Sequence, residues 1–278
     1  MTDNTTSTST TLDDPEFKAA LQHQAREMRR LFRELPSVAT IQPDNSSERL
    51  THLEETIAPI PIREPIVRHM AVAHNCLQRV GPAITKSYAE HSLFMLLRGA
   101  VENAALCVWL LADDDSELMK RILTNRITEI LEEKRFNKLF GAQDGSYQAP
   151  VGLQKMNEAK VNEVLAVAGR LGIPESEIVN LGKRGNGNKT RKYTLTEIMK
   201  DLGEVNGIID VFSMWSIASG LAHGGGQISS GIKHLGVQGV GGELVGYKTF
   251  LALGQAQTAH ELYQIALTRY SALVRSKL

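Results

Sequence analysis

Leu93-Phe-Met-Leu-Leu-Arg-Gly-Ala-Val-Glu-Asn-Ala-Ala-Leu-Cys-Val-Trp-Leu-Leu111 is the stretch that decides how this chain folds. At about 100° per residue, His91, Arg98, Glu102 and Trp109 fall within roughly 40° of one another on one line down a helix, and the other faces are mainly Leu, Ala, Val, Met and Cys. A helix that is apolar on nearly every side belongs in the middle of a bundle. Its charged line is then partly buried. Burying an Arg and a Glu is costly unless each is paired and hydrogen-bonded, so the residues Arg98 and Glu102, one turn apart, are either a site or a packing device.

The composition fits one sizeable helical fold. The chain has 278 residues, 42% of them hydrophobic, which is ample for a core without staples. Lys plus Arg and Asp plus Glu balance at 31 each, so no global field draws it to nucleic acid or to an anionic membrane, and any such partner must meet a local patch. Its two cysteines, Cys76 and Cys107, lie within apolar helical patterns, where a free thiol behaves as a small hydrophobe. The Thr- and Ser-rich start has neither a basic n-region nor a hydrophobic core, so it reads as a disordered tail over 1–13 rather than a secretory signal. Arg98 and Glu102 interrupt the best candidate for a membrane span. The expectation is a soluble, cytoplasmic chain with no membrane partner.

Three units follow from the pattern: the tail, an N-terminal helix with a Pro-rich connection over 14–62, and a helical bundle over 63–278. Asp14 and Pro15 form a helix start, and Phe17, Leu21, Met28, Leu31 and Leu35 recur at three and four until Pro36. Arg26, Arg29, Arg30 and Arg33 lie on this helix and could touch a phosphate surface, but with Glu27 and Glu34 interspersed they read as a basic solvated face. Residues 36–62 hold Pro36, Pro43, Pro59 and Pro61, with one short helix at Glu48 to Ile57. A helix from Pro65 to Val80 ends at Gly81-Pro82, and the central helix runs from Thr85 to Ala112. Asp113 to Ser116 caps a charged helix, Glu117 to Phe140. Residues 141–152 are a turn, and Leu153 to Leu171 is a further helix.

Gly182-Lys-Arg-Gly-Asn-Gly-Asn-Lys-Thr190 looks like a phosphate-binding loop and is not one. That loop requires lysine directly after its second glycine, whereas Asn188 intervenes, and only a short helical pattern, not a strand, precedes it. It reads as a loop ending in the capping box Thr194-Leu-Thr-Glu197. Lys183, Arg184, Lys189, Arg191 and Lys192 nevertheless gather five positive charges beside Tyr193, enough to touch a phosphate backbone without reading sequence. A second oily helix, Gly207 to Ala222, places Phe212, Trp215, Ser216, Ser219 and His223 on one side, with His223 at its last turn. Gly224 to Gly246 reads as a loop or small hairpin, and Tyr247 to Val274 as a long final helix. The fold class is all-α: a helical bundle with two central apolar helices, about 85–112 and 207–223.

If the two oily helices pack together, Arg98, Glu102, Ser219 and His223 converge. Arg98 is suited to holding phosphate, and Glu102 or His223 to moving a proton. The alternative is an internal ion pair that sets helix register. A metal is not expected, because no His-x-x-x-His or Glu-x-x-His pair anchors one on a single helix. No cofactor is expected either.

Arg98, Glu102 and Ala104 in an Arg-x-x-x-Glu-x-Ala segment, Trp109 beyond it, and Ser219, His223 and Gly224 in a Ser-x-x-x-His-Gly segment resemble a loose actinobacterial all-helical family. Over roughly residues 65 to 275 that family is in turn distantly similar to the HEPN helical-bundle superfamily. The resemblance implies a helical bundle, and it implies one of two functions. Some HEPN members are metal-independent ribonucleases that use an Arg and a His spaced four to six residues apart on one helix. Others are catalytically silent nucleotide- or partner-binding bundles. Arg63 and His69 match the spacing, although Pro65 sets Arg63 before the helix. Two expectations stand: a ribonuclease or phosphate-binding protein using Arg98, Glu102, His223 and Ser219 on RNA, or a non-catalytic module, homo-oligomeric or bound to another protein.

Overall fold

The computed structural model describes residues 15–41, 47–85, 91–143, 151–181, 189–205, 211–222 and 242–276. It is an all-α bundle, with one short β-hairpin among the described residues. Helix α1, Pro15–Glu34, has proline at its first position, where a missing N–H costs nothing, and turns Leu21, Ala25 and Phe32 inward. Asp14 and the tail lie outside the described residues. After Pro36 the chain makes a single 3-10 turn, Val38–Thr40. Helix α2, Glu48–Ile57, then forms where the sequence places it. Its cap Ser47 accepts from the Leu50 N–H at 3.4 Å and donates to the Leu273 carbonyl at 3.0 Å, tying α2 to the far end of the chain.

Helix α3, Arg63–Ile84, departs from expectation at both ends. Arg63 is its first residue, because Pro65 sits in the first turn, where backbone N–H groups have no intrahelical partner to lose. Gly81-Pro82 does not break it. Pro82 removes one hydrogen bond in the last turn, while Val80, Gly81 and Ile84 all stay buried. Gly81 also lies against α1, where a Cβ would meet the Arg29 Cα at 3.6 Å.

Helix α4, His91–Leu110, is the centre of the bundle, packed by α3 and by the elements that follow. Leu97, Ala100, Val101, Ala104, Ala105 and Val108 are fully buried. The stretch Ser92–Leu110 is by length and composition able to cross a membrane, contrary to the reading that Arg98 and Glu102 disqualify it. It is 61% buried inside the bundle, as a core helix is.

Helix α5, Asp115–Gln143, starts at the Asp114 cap, whose Oδ1 accepts from the Glu117 N–H at 2.8 Å. Helix α6, Val151–Arg170, packs against α5 and ends at Gly172, whose φ of 70° is the left-handed conformation glycine adopts freely. Helix α7, Glu175–Ile178, leads into an antiparallel hairpin of β1, Val179–Leu181, and β2, Lys189–Arg191, in which Asn180 faces Thr190. A strand therefore does precede Gly182, contrary to the sequence reading. The next element after it is a second strand and not a helix, so the segment lacks the strand-to-helix layout of a phosphate-binding loop.

Helix α8, Leu195–Val205, opens with the expected capping box. The Thr194 N–H donates to Glu197 Oε2 at 2.6 Å and the Glu197 N–H to Thr194 Oγ1 at 3.2 Å. Helix α9, Val211–Ala222, packs on α4, α8 and the last helix, yet Phe212 to Ile217 all remain partly exposed. That last helix, α10, spans Gly242–Arg275 and lies along α4, α3 and α1. It begins five residues before the expected Tyr247, so 242–246 is helix and not loop. The rest of the proposed glycine-rich loop lies outside the described residues. One continuous hydrophobic cluster joins Leu21 on α1, Leu50 on α2 and Ile62 to α4, α5 and α10.

Candidate functional site

Glu102 is where the two oily helices meet. Its Oε1 accepts from Arg98 Nε at 2.6 Å, along the same helix, and from Trp215 Nε1 at 2.8 Å, across from α9. The i, i+4 spacing stacks Arg98 over Glu102 on the face of α4 that α9 covers. The Arg98 and Glu102 side chains keep 24% and 21% of their exposure, so the pair is half-sheltered. Phe212 flanks Trp215, their ring centres 6.1 Å apart, and the Lys200 ammonium sits 4.9 Å from the centre of the Phe212 ring. Glu102 Oε1 thus takes two donors, one from each helix, while Oε2 stands outside this contact.

The structure joins only part of the predicted constellation. Trp109, on the same line of α4, lies under the Arg121 guanidinium at 5.3 Å and beside Tyr193 at 5.6 Å, so it serves the junction with α5 and α8. Ser219 is one turn beyond Trp215 and partly buried, and among the described residues no hydrogen bond joins it to Arg98 or Glu102. His223 and the side chain of His91 lie outside the described residues. Among those described, no group of three or more His, Cys, Asp or Glu is arranged to hold a metal ion.

Of the basic segment, Lys183 and Arg184 lie outside the described residues, and Lys189 opens β2. Arg191 approaches Glu132 on α5 at 3.6 Å with both side chains exposed, so part of its charge is already answered. Lys192 follows, and its carbonyl accepts from Asn180 Nδ2 at 3.4 Å.

Arg63 and His69 share α3 but not a face. Six residues put them about 120° apart. Arg63 Nη2 donates to Glu54 on α2 at 3.0 Å, with its Nε buried and unpartnered. His69 Nδ1 lies 2.8 Å from Asn103 Oδ1 on α4. Asn103 Nδ2 donates to the Gly99 carbonyl at 2.8 Å, which turns Oδ1 toward the ring, so Nδ1 carries the proton. His69 Nε2 is then a bare acceptor, buried without a partner.

Sequence reasoning missed this polar contact. Its one signal was Asn103 beside Glu102, about 100° around α4 and facing a different helix. It missed Gln255 as well, which is fully buried on α10 with both amide atoms unpartnered. Periodicity treats that position as core and says nothing about its chemistry. Comparison with family models, with curated proteins and with solved structures finds no match to this chain.

Proposed function

We propose that this protein is a non-catalytic helical module that works by contact with a partner, and that its Arg98–Glu102–Trp215 seam is a packing lock and not an active site. The double contact of Glu102 Oε1 carries the reading: this oxygen accepts from Arg98 on α4 and from Trp215 on α9, which ties the two helices together. The likeness to HEPN bundles is compatible with this reading, because that superfamily includes silent binding members.

Bulk cellular RNA incubated with the purified full chain, with and without chelator, tests the reading beside Arg98→Ala and His223→Ala. No cleavage is expected, and Arg98→Ala should melt lower. Chelator-resistant cleavage that disappears in folded Arg98→Ala and His223→Ala variants would overturn the proposal in favour of a metal-independent ribonuclease.

A further inference from the structure

Four arginines on α1 repeat at i, i+3, i+4 and i+7: Arg26, Arg29, Arg30 and Arg33. At 100° per residue they span an arc of about 100° whose near edge, at Arg29, lies about 40° from the buried Ala25, and all four are exposed. The sequence suggests that Glu27 and Glu34 neutralise this face, but the structure spends both on one residue. Arg30 Nη2 pairs with Glu27 at 3.0 Å and Arg30 Nη1 with Glu34 at 3.5 Å. Among the described residues, no ion pair engages Arg26, Arg29 or Arg33.

Three like charges on adjacent turns repel one another weakly, each being solvated. They are all arginine, the side chain whose planar fork matches phosphate oxygens. The chain's zero net charge does not cancel this line, because salt screens exposed charges beyond about 8 Å.

Three observations narrow the occupant. No aromatic or branched aliphatic side chain lies within the arc, so there is no central anchor of the kind protein partners use. The apolar face of α1 is inside the bundle, so the helix cannot lie in a lipid interface. The ring nearest the stripe is the exposed His23, one turn before Arg26, and no Phe, Tyr or Trp lies within the arc to stack an unpaired base.

We propose that the exposed face of α1 docks the phosphate backbone of a nucleic-acid duplex through Arg26, Arg29 and Arg33. This surface is separate from the α4–α9 seam and stands whether or not the seam is catalytic. The contact is independent of sequence, since arginines on phosphates set position and do not read bases.

Fluorescence anisotropy of a labelled mixed-sequence duplex, titrated with the full chain at several salt concentrations, tests it. Three neutralised phosphates give a slope of log affinity on log salt of about −2.7, or roughly a forty-fold loss between 50 and 200 mM. Arg26→Gln, Arg29→Gln and Arg33→Gln should each flatten the slope by about 0.9, and the triple variant should abolish binding. Glu27→Gln with Glu34→Gln should tighten binding and steepen the slope, because it frees Arg30; this gain does not depend on how the triple variant folds. Lys155→Gln, an exposed charge on α6, should change nothing. No binding by the wild type, undiminished binding by a folded triple variant, or preference for single strands or phosphatidylserine vesicles would overturn the proposal.

Discussion

Arg98 on α4 and Arg29 on α1 belong to helices of 20 residues each, and their surroundings differ in each respect that matters to a charge. Arg98 keeps a quarter of its exposure, reaches Glu102 at 2.6 Å, and through it is coupled to Trp215 on a second helix. Arg29 is exposed, its turn-mate Arg30 takes both nearby carboxylates, and no carboxylate remains for it. A half-sheltered charge must be paired inside the molecule or the bundle loses stability. An exposed one is solvated and costs little, so it can be left for a partner. Unpaired charge on a surface helix therefore stays available to a partner, and paired charge at a helix crossing ties two elements together.

The largest effect expected from this contrast is at Glu102. Glu102→Ala removes the acceptor shared by Arg98 Nε and the Trp215 N–H and should lower unfolding free energy by about 2 kcal/mol, less than for a fully buried pair because both side chains keep some water. Urea denaturation reads this, and a loss under about 0.5 kcal/mol would mean that the pair locks nothing. Gln255→Met should act in the opposite direction. It removes two orphaned amide atoms from the core while nearly conserving shape, for a gain of about 1 kcal/mol. If the variant is instead destabilised, buried water or a ligand satisfies Gln255.

Trp215→Phe deletes the donor together with the pyrrole half of the indole, for a loss of roughly 1 to 2 kcal/mol. Combined with Glu102→Ala it should add only the lost ring packing, because both remove the same hydrogen bond; full additivity would separate Trp215 from the lock.

Acid should weaken the α1–α10 contact through His260, which lies 6.0 Å from the Phe32 ring. Burial pulls its imidazole below the ordinary 6.5, while Glu261 pushes the other way. The folded ring resists protonation, so below 6.5 the unfolded chain binds more protons, and stability falls until the folded ring protonates as well. The melting temperature should therefore drop as pH falls below that value, and His260→Gln should make the drop shallower. An identical drop in the variant would assign it elsewhere. The smallest effect should be that of the three α1 arginines on stability: the triple glutamine variant should move the melting temperature by under about 2 °C, and a larger fall would make the stripe structural.

How far the fold was legible depended on how far each rule acts along the chain. Apolar spacing placed α2, α6 and α8 to within a few residues and identified α4 as central, because the period of a buried face is a local property. Proline rules misplaced both ends of α3. They describe a cost, and at Pro65 and Pro82 the helix termini made that cost small. The hairpin Val179–Arg191 escaped notice because three-residue strands carry too few alternations to register, and Val179 pairs with Arg191 on the far side of a glycine-rich segment.

Within the candidate site, the adjacency of Arg98 and Glu102 was readable from four-residue spacing alone. The sequence by itself also determined the all-helical class, the central place of Leu93 to Leu111 and the capping of α8, because each rests on residues within two turns of one another. Only the tertiary structure decided that Trp215 bonds Glu102, that His69 faces Asn103 in place of Arg63, and that Glu27 and Glu34 both serve Arg30. Those outcomes depend on which helix faces which, and on one acceptor choosing among several donors within reach. That choice is set by angles around the helix and by the packing of elements far apart in the chain, which spacing along the sequence does not encode.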